Sequence, residues 1–123
     1  MLASAALMAF AATTQPAKAR AFYEGTLGLR VLSDDDFALA LDAHGTHLRI
    51  QKVSELAPAP FTALGWHVAD IATVVDGLRA RGVSFRAFPG MGQDERGIWL
   101  APSGAQVAWF QDPDGNTLSL TQF

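Results

Sequence analysis

Asp112-Pro113-Asp114-Gly115-Asn116, running into Thr117-Leu118-Ser119-Leu120, is the stretch on which the reading of this chain turns. An earlier stretch says nearly the same thing: Asp42-Ala43-His44-Gly45-Thr46, running into His47-Leu48-Arg49-Ile50. Each is an Asp-x-x-Gly turn feeding a strand with an apolar residue at every second place. Pro113 presets the first central angle, Asp112 can accept from turn amides, and Gly115 can supply a positive φ. Asp112 and Asp114 therefore read as turn-makers. Self-similarity at this spacing means two copies of one supersecondary unit. Neither copy could bury a good core alone. The expectation is one shared sheet system with a cavity between the halves, and function is sought at matching positions.

Composition narrows the classes. The chain has 123 residues, half of them hydrophobic and 17% charged, which suits a folded domain. A net charge of -3 and the lack of any Lys/Arg cluster argue against a nucleic-acid partner. Cysteine is absent, which excludes disulfides, thiol catalysis and zinc-cysteine sites and suits the cytoplasm. The apolar opening from Met1 to Ala12 lacks a positive start, so it reads as a buried strand rather than a secretion signal. No run is long enough to span a membrane, so no membrane partner is expected.

Alternation and punctuation predict two rounds of strand, helix and three strands, an α+β chain. In module one (about 5–53) the strands are about 5–13, 29–32, 37–41 and 46–53. The helix opens at Pro16, with Thr14 or Gln15 as a weak cap, and Gly28 stops it. Ser33 to Asp36 reads as a polar turn. Residues 54–60, with Pro58 and Pro60, read as a linker. In module two (about 61–123), 61–69 is a strand, Asp70 caps a helix ending near Gly82, and 83–88, 105–111 and 116–123 are strands. The second copy carries roughly 16 extra residues between Phe88 and Gly104, which read either as a lid or as a floppy surface hairpin.

Several short pieces now fall in a known order. They are Ala21-Phe22-Tyr23, Leu27-Gly28-Leu29, Trp66-His67-Val68-Ala69-Asp70-Ile71, Leu78-Arg79-Ala80-Arg81-Gly82-Val83 and the turn at 112–116. The set resembles the glyoxalase, bleomycin-resistance and ring-cleaving dioxygenase superfamily, the vicinal oxygen chelate fold, over essentially the whole chain. The resemblance implies one domain of two tandem βαβββ modules whose curved mixed sheets form a cup. In metal-dependent members, four cup-facing side chains, usually His, Gln or Glu, hold one divalent ion that chelates adjacent substrate oxygens. The fold alone names no activity.

Counted from the helix caps and the turn glycines, those four positions hold Met8, Arg49, Ala63 and Ser119. Hard divalent ions want carboxylate, amide or imidazole donors, so neither the family's metal nor any other cofactor is expected. Alternation sends Leu48, Ile50, Leu64, Trp66, Val68, Leu118 and Leu120 toward the helices. The cup is then lined by Met8, Phe10, His47, Arg49, Gln51, Ala63, Gly65, His67, Thr117, Ser119 and Thr121.

Arg49 could meet a ligand's anionic group, or pair internally, or reach the rim. His47 and His67 could be an acid–base pair, a displaced metal pair, or ordinary hydrogen-bonding histidines. His44, in the turn, reads as exposed. Trp99 and Trp109 could stack a planar ligand, and Trp109 could equally be core. The leading expectation is metal-independent binding of a small planar or aromatic ligand by a homodimer, as in the bleomycin-resistance proteins. The alternative is a glyoxalase- or dioxygenase-family isomerase or lyase with a metal-free acid–base site at His47 or His67, or with an unusual metal site. A structural or regulatory partner domain is a third class.

Overall fold

Leu39, Leu41, Leu48 and Ile50 occupy alternate positions of two neighbouring strands, and all four are buried. Fully burying one such side chain contributes about 1.5–3 kcal/mol, and here the sheet's apolar face supplies them in a block. The computed structural model describes residues 1–123 and divides them into two units, Met1–Ala57 and Pro58–Phe123.

The first unit contains β1 (Met8–Thr13), helix α1 (Pro16–Arg20) running into a π-helical turn (Ala21–Thr26), β2 (Arg30–Asp34), β3 (Ala38–Ala43) and β4 (Thr46–Lys52). The sheet order is β1-β4-β3-β2, with β1 parallel to β4 and the other pairs antiparallel. A parallel pair needs a crossover, and α1 with its π turn provides it. In that turn Leu27 N–H reaches the Phe22 carbonyl at 2.9 Å, five residues back. The wider turn lets the consecutive residues Phe22 and Tyr23 both point inward, edge to face at 5.2 Å.

The second unit contains β5 (Thr62–His67), α2 (Ile71–Ala80), β6 (Trp99–Leu100), β7 (Gln106–Gln111) and β8 (Thr117–Gln122). Its sheet order, β5-β8-β7-β6, repeats that of the first. Both units are thus βαβββ. Asp70 caps α2 as expected, accepting from Thr73 N at 3.1 Å and Thr73 Oγ1 at 2.8 Å. These bonds, the hydroxyl's first, hold the Asp70 carboxyl below the usual carboxylate range. Gly82, at φ +92°, closes the helix while Val83 N donates to the Leu78 carbonyl at 3.0 Å. Ile71 and Val75 are buried, as are Ala108, Phe110, Leu118 and Leu120 of the sheet.

Five expectations need correction. Residues 5–7 are not strand, and most of the stretch expected to be a buried strand is exposed. Ser33 and Asp34 belong to β2, because Ser33 pairs with Ala40 and Asp34 with Leu39 after a bulge. The N-cap of α1 is Gln15, whose side chain makes no cap bond; Thr13 Oγ1 accepts from Gln15 N at 2.9 Å. Residues 83–88 are not a strand. Arg86 N makes one ladder-like bond to the Trp109 carbonyl, at 2.7 Å, and the chain then leaves the edge. The two-residue β6, from the insertion, takes in the second module the place that β2 has in the first.

The insertion is neither a free lid nor a floppy hairpin. Arg96 makes a two-point pair with Asp76 of α2 at 2.9 and 3.1 Å, and Arg79 of α2 donates to the Glu95 carbonyl at 3.1 Å. Ile98, within the insertion, is itself buried. The doubled Asp-x-x-Gly motif also builds two different turns. In the first unit, His44 and Gly45 both have positive φ (50° and 91°) between paired Ala43 and Thr46, a two-residue hairpin of type I′. In the second, Gln111 pairs with Thr117 across a five-residue loop.

Asp34 links helix and sheet, accepting from Lys52 Nζ and from Arg20 Nη1, the latter at 3.0 Å. The Lys52 bond, then the Arg20 bond, lowers its carboxyl pKa from 3.8. A lowered folded-state pKa stabilises above the unfolded value and is lost as pH falls through the folded one. The Tm of the wild type should exceed that of Asp34→Asn at neutral pH, and the gap should close as pH falls below 3.8. Parallel melting series for the two proteins check this; a gap that persists at pH 2, or widens, contradicts it. No helix is long and apolar enough to cross a membrane.

Candidate functional site

Strand register decides which side chains share a surface. In the first unit, Met8 lies beside His47, Phe10 beside Arg49 and Ala12 beside Gln51, while Leu48 and Ile50 turn to the other face. Met8, Phe10, His47, Arg49 and Gln51 therefore share the face predicted for them. Asp42 continues the His47 row and lies 3.5 Å from Arg30. His47 Nε2 is buried and has no hydrogen-bond partner. Arg49 forms no ion pair, though its charge contributes to lowering the Asp35 carboxyl, after that group's bonds to the Ala38 and Phe37 amides.

The second unit carries the other half of the predicted set. Gly65, Ser119 and Trp109 form one cross-strand row, His67, Thr121 and Val107 the next, and Thr62, Thr117 and Gln111 the row on the opposite side. Ala63 falls at the bulge between Thr62 and Leu64. A Cβ on Gly65 would come 2.8 Å from Ser119 Oγ, so that small position is taken up by the serine hydroxyl. His67 sits edge-on to the Phe123 ring at 5.1 Å, one row beyond Trp109.

Trp109 is the centre of an aromatic wall. The Trp99 ring lies 6.1 Å from it at 35°, and the Phe88 ring meets it edge-on at 5.5 Å and 89°. The Arg86 guanidinium stands 5.9 Å from the Phe88 centroid. This corner opens onto a cavity of about 520 Å³. Its floor is Thr62, Thr117 and Gln111, and Phe61 with Pro58–Pro60 closes another side. Of the predicted residues, Trp109 and Thr117 line this cavity, and Trp99 packs against Trp109. His67 and Ser119 share the sheet face without reaching the cavity, and Ala63, unpaired at the bulge, does not line it either. Phe61, Thr62, Arg86, Phe88 and Gln111 were not predicted. Phe85 packs against Phe110 at 5.4 Å, and Arg86 and Phe88 border the cavity.

The four metal-ligand positions fail a chemical test. They present the Met8 thioether, the Arg49 guanidinium, the Ala63 methyl and the Ser119 hydroxyl, and the guanidinium repels a cation. No group of three or more His, Asp or Glu side chains is placed to hold a metal ion. The residues do not fit the ion that the fold family uses.

A family model described as the Glyoxalase/Bleomycin resistance protein/Dioxygenase superfamily matches residues 6–120. The chain belongs to this superfamily. Solved glyoxalase-fold structures superpose on nearly all of it. A superfamily member from Sphaerobacter thermophilus DSM 20745 has a TM-score of 0.76 at 22% identity, covering 100% of both chains. A lactoylglutathione lyase from Agrobacterium tumefaciens has 0.74 at 16%, covering 98% of this chain and 95% of its own. An antibiotic binding protein from Streptomyces sp. CB03234 has 0.72 at 23%, covering 99% and 98%. At these identities the likeness establishes the glyoxalase fold and no activity. A search of curated protein sequences finds no significant match.

Proposed function

We propose that this superfamily member binds a planar aromatic small molecule, without a metal, in the groove beside Trp109. The observation that carries the reading is the Trp109–Phe88 corner over a cavity of about 520 Å³, a size typical of small-molecule sites. The poor donor set at Met8, Arg49, Ala63 and Ser119 supports the metal-free part. The likeness to an antibiotic binding protein is consistent with a binding role. Exposed Phe10, Phe37, Leu100 and Phe123 favour the homodimer expected from the family resemblance.

Calorimetric titration with a panel of planar aromatic compounds, antibiotics included, tests the proposal alongside metal analysis of the purified protein. Trp109→Ala should weaken the best binder by roughly 10- to 100-fold, as for buried aromatic anchors generally. Trp109→Phe, which keeps a ring, should lose less. Stoichiometric tight metal, or unchanged affinity in Trp109→Ala, would sink the reading.

One observation favours an enzyme instead. His47 Nε2 is buried without a partner, in the row that contains Asp42. Such a nitrogen suits acid–base work, and one structural neighbour is a lyase by name. A His47→Ala protein that keeps ligand affinity while a detectable turnover disappears would establish this reading over simple binding.

A further inference from the structure

We propose that the ligand of this groove is an aromatic acid, whose carboxylate is taken by Arg86 while its ring lies against Trp109 and Phe88. The inference rests on the groove being the ligand site, and adds the ligand's charge and the residue that selects it.

Most arginines of the chain are already engaged. Arg20 pairs with Glu24 and Asp34, Arg30 with Asp42, and Arg96 with Asp76. Arg79 donates to the Glu95 carbonyl and lies over Phe85. Arg86 pairs with no acid, and it is the one charged residue on the cavity wall. The chain as a whole carries a net charge of -3. A cationic groove in an acidic protein is a local arrangement, and no carboxylate lines it; Asp94 and Glu95 line the adjoining pocket that Arg86 also borders, without pairing with it.

Geometry fits the acid as well. The Arg86 backbone is tied to Trp109 through the 2.7 Å bond from Arg86 N to the Trp109 carbonyl, so cation and indole are held on adjoining chain segments. The guanidinium's 5.9 Å approach to Phe88 orients it along the ring that forms the groove's second wall. A ring lying on this corner places a substituent toward the guanidinium, whose planar fork matches a carboxylate at two points. Thr62, Thr117 and Gln111 add hydroxyl and amide groups on the floor. The volume accommodates a one- or two-ring compound.

The test uses three probes of one shape: 2-naphthoate, 2-naphthylmethanol and 2-naphthylmethylamine, titrated calorimetrically into the full chain. The acid should bind at least about tenfold more tightly than the alcohol, and the amine least, with the acid's advantage shrinking as salt is raised. Arg86→Gln should narrow the acid-to-alcohol ratio to within about twofold, and Arg86→Lys should restore part of it. Thermal melts confirm that each variant is folded, and Arg86→Lys keeps the test alive if the glutamine variant is not. Equal binding of acid and alcohol by the wild type overturns the inference and leaves the groove reading standing. So does a preference that survives Arg86→Gln, or one abolished by Arg49→Gln instead. Absence of binding by all three probes overturns both.

Discussion

Asp112→Ala is expected to lower stability by about 3–5 kcal/mol, while Asp42→Ala, at the matching place in the first unit, should cost only about 1 kcal/mol. Asp112 is 6% exposed. Its carboxylate accepts from Asp114 N at 3.0 Å, Asn116 N at 2.9 Å and Asn116 Nδ2 at 2.7 Å. Alanine removes all three acceptor contacts at once, inside a loop whose amides face inward, and a charged acceptor makes each bond worth more than a neutral one. Asp42 accepts only from Gly45 N, at 3.0 Å, and otherwise faces a largely exposed Arg30. Its hairpin is held mainly by the left-handed pair His44–Gly45. Urea unfolding of the two variants gives the comparison. Equal losses would mean that the two turns are held in the same way after all.

Gln93→Ala is expected to cost about 2–4 kcal/mol and to weaken ligand binding by roughly tenfold, although Gln93 does not itself line the groove. Its amide stands in for a strand. Oε1 accepts from Phe88 N at 2.6 Å, and Nε2 donates to the Arg86 carbonyl at 2.9 Å and the Gly97 carbonyl at 2.8 Å. The first two bonds serve the N–H and C=O that an edge strand would have paired, and they hold the two wall residues Arg86 and Phe88. Gln93→Glu should be no better, because a carboxylate cannot donate to two carbonyls. Faster hydrogen exchange at the Phe88 amide in both variants, together with weaker binding, is the expected pair of results. Normal affinity in a folded Gln93→Ala protein would show that the wall holds itself.

The alternation in Leu48-Arg49-Ile50 and Leu118-Ser119-Leu120 was enough to place whole strands and their inward faces, because a period of two leaves no freedom once one face is apolar. The caps at Asp70 and Gly82 were legible for a similar reason: each has a local cause within a few residues. What escaped was set by contacts distant in sequence. Val83 to Phe88 has strand-like composition, but a side-chain amide from Gln93 meets its edge and turns the chain away. Arg86 and Phe88 were therefore not recognised as a groove wall. Similar spelling at Asp42 and Asp112 concealed that one loop has two residues and the other five, since the difference lies in which flanking pair closes the ladder. Tyr23 became core through a π turn, a backbone detail that side-chain spacing does not encode.

The shortness of β6 has a consequence for how the protein survives at high concentration. A long unpaired strand at a sheet edge is a template on which a second chain can polymerise. The second unit offers no such template beside β7, because the two residues of β6 and the Arg86 amide occupy that edge, and the Gln93 side chain covers the far side of the 86–88 segment. The first unit deals with its β2 edge differently, through the bulge between Val31 and Ser33 and the charge of Asp34. Straightening either edge, by regularising the bulge or by extending β6 with β-branched residues, would invite ordered aggregation of molecules that are still folded.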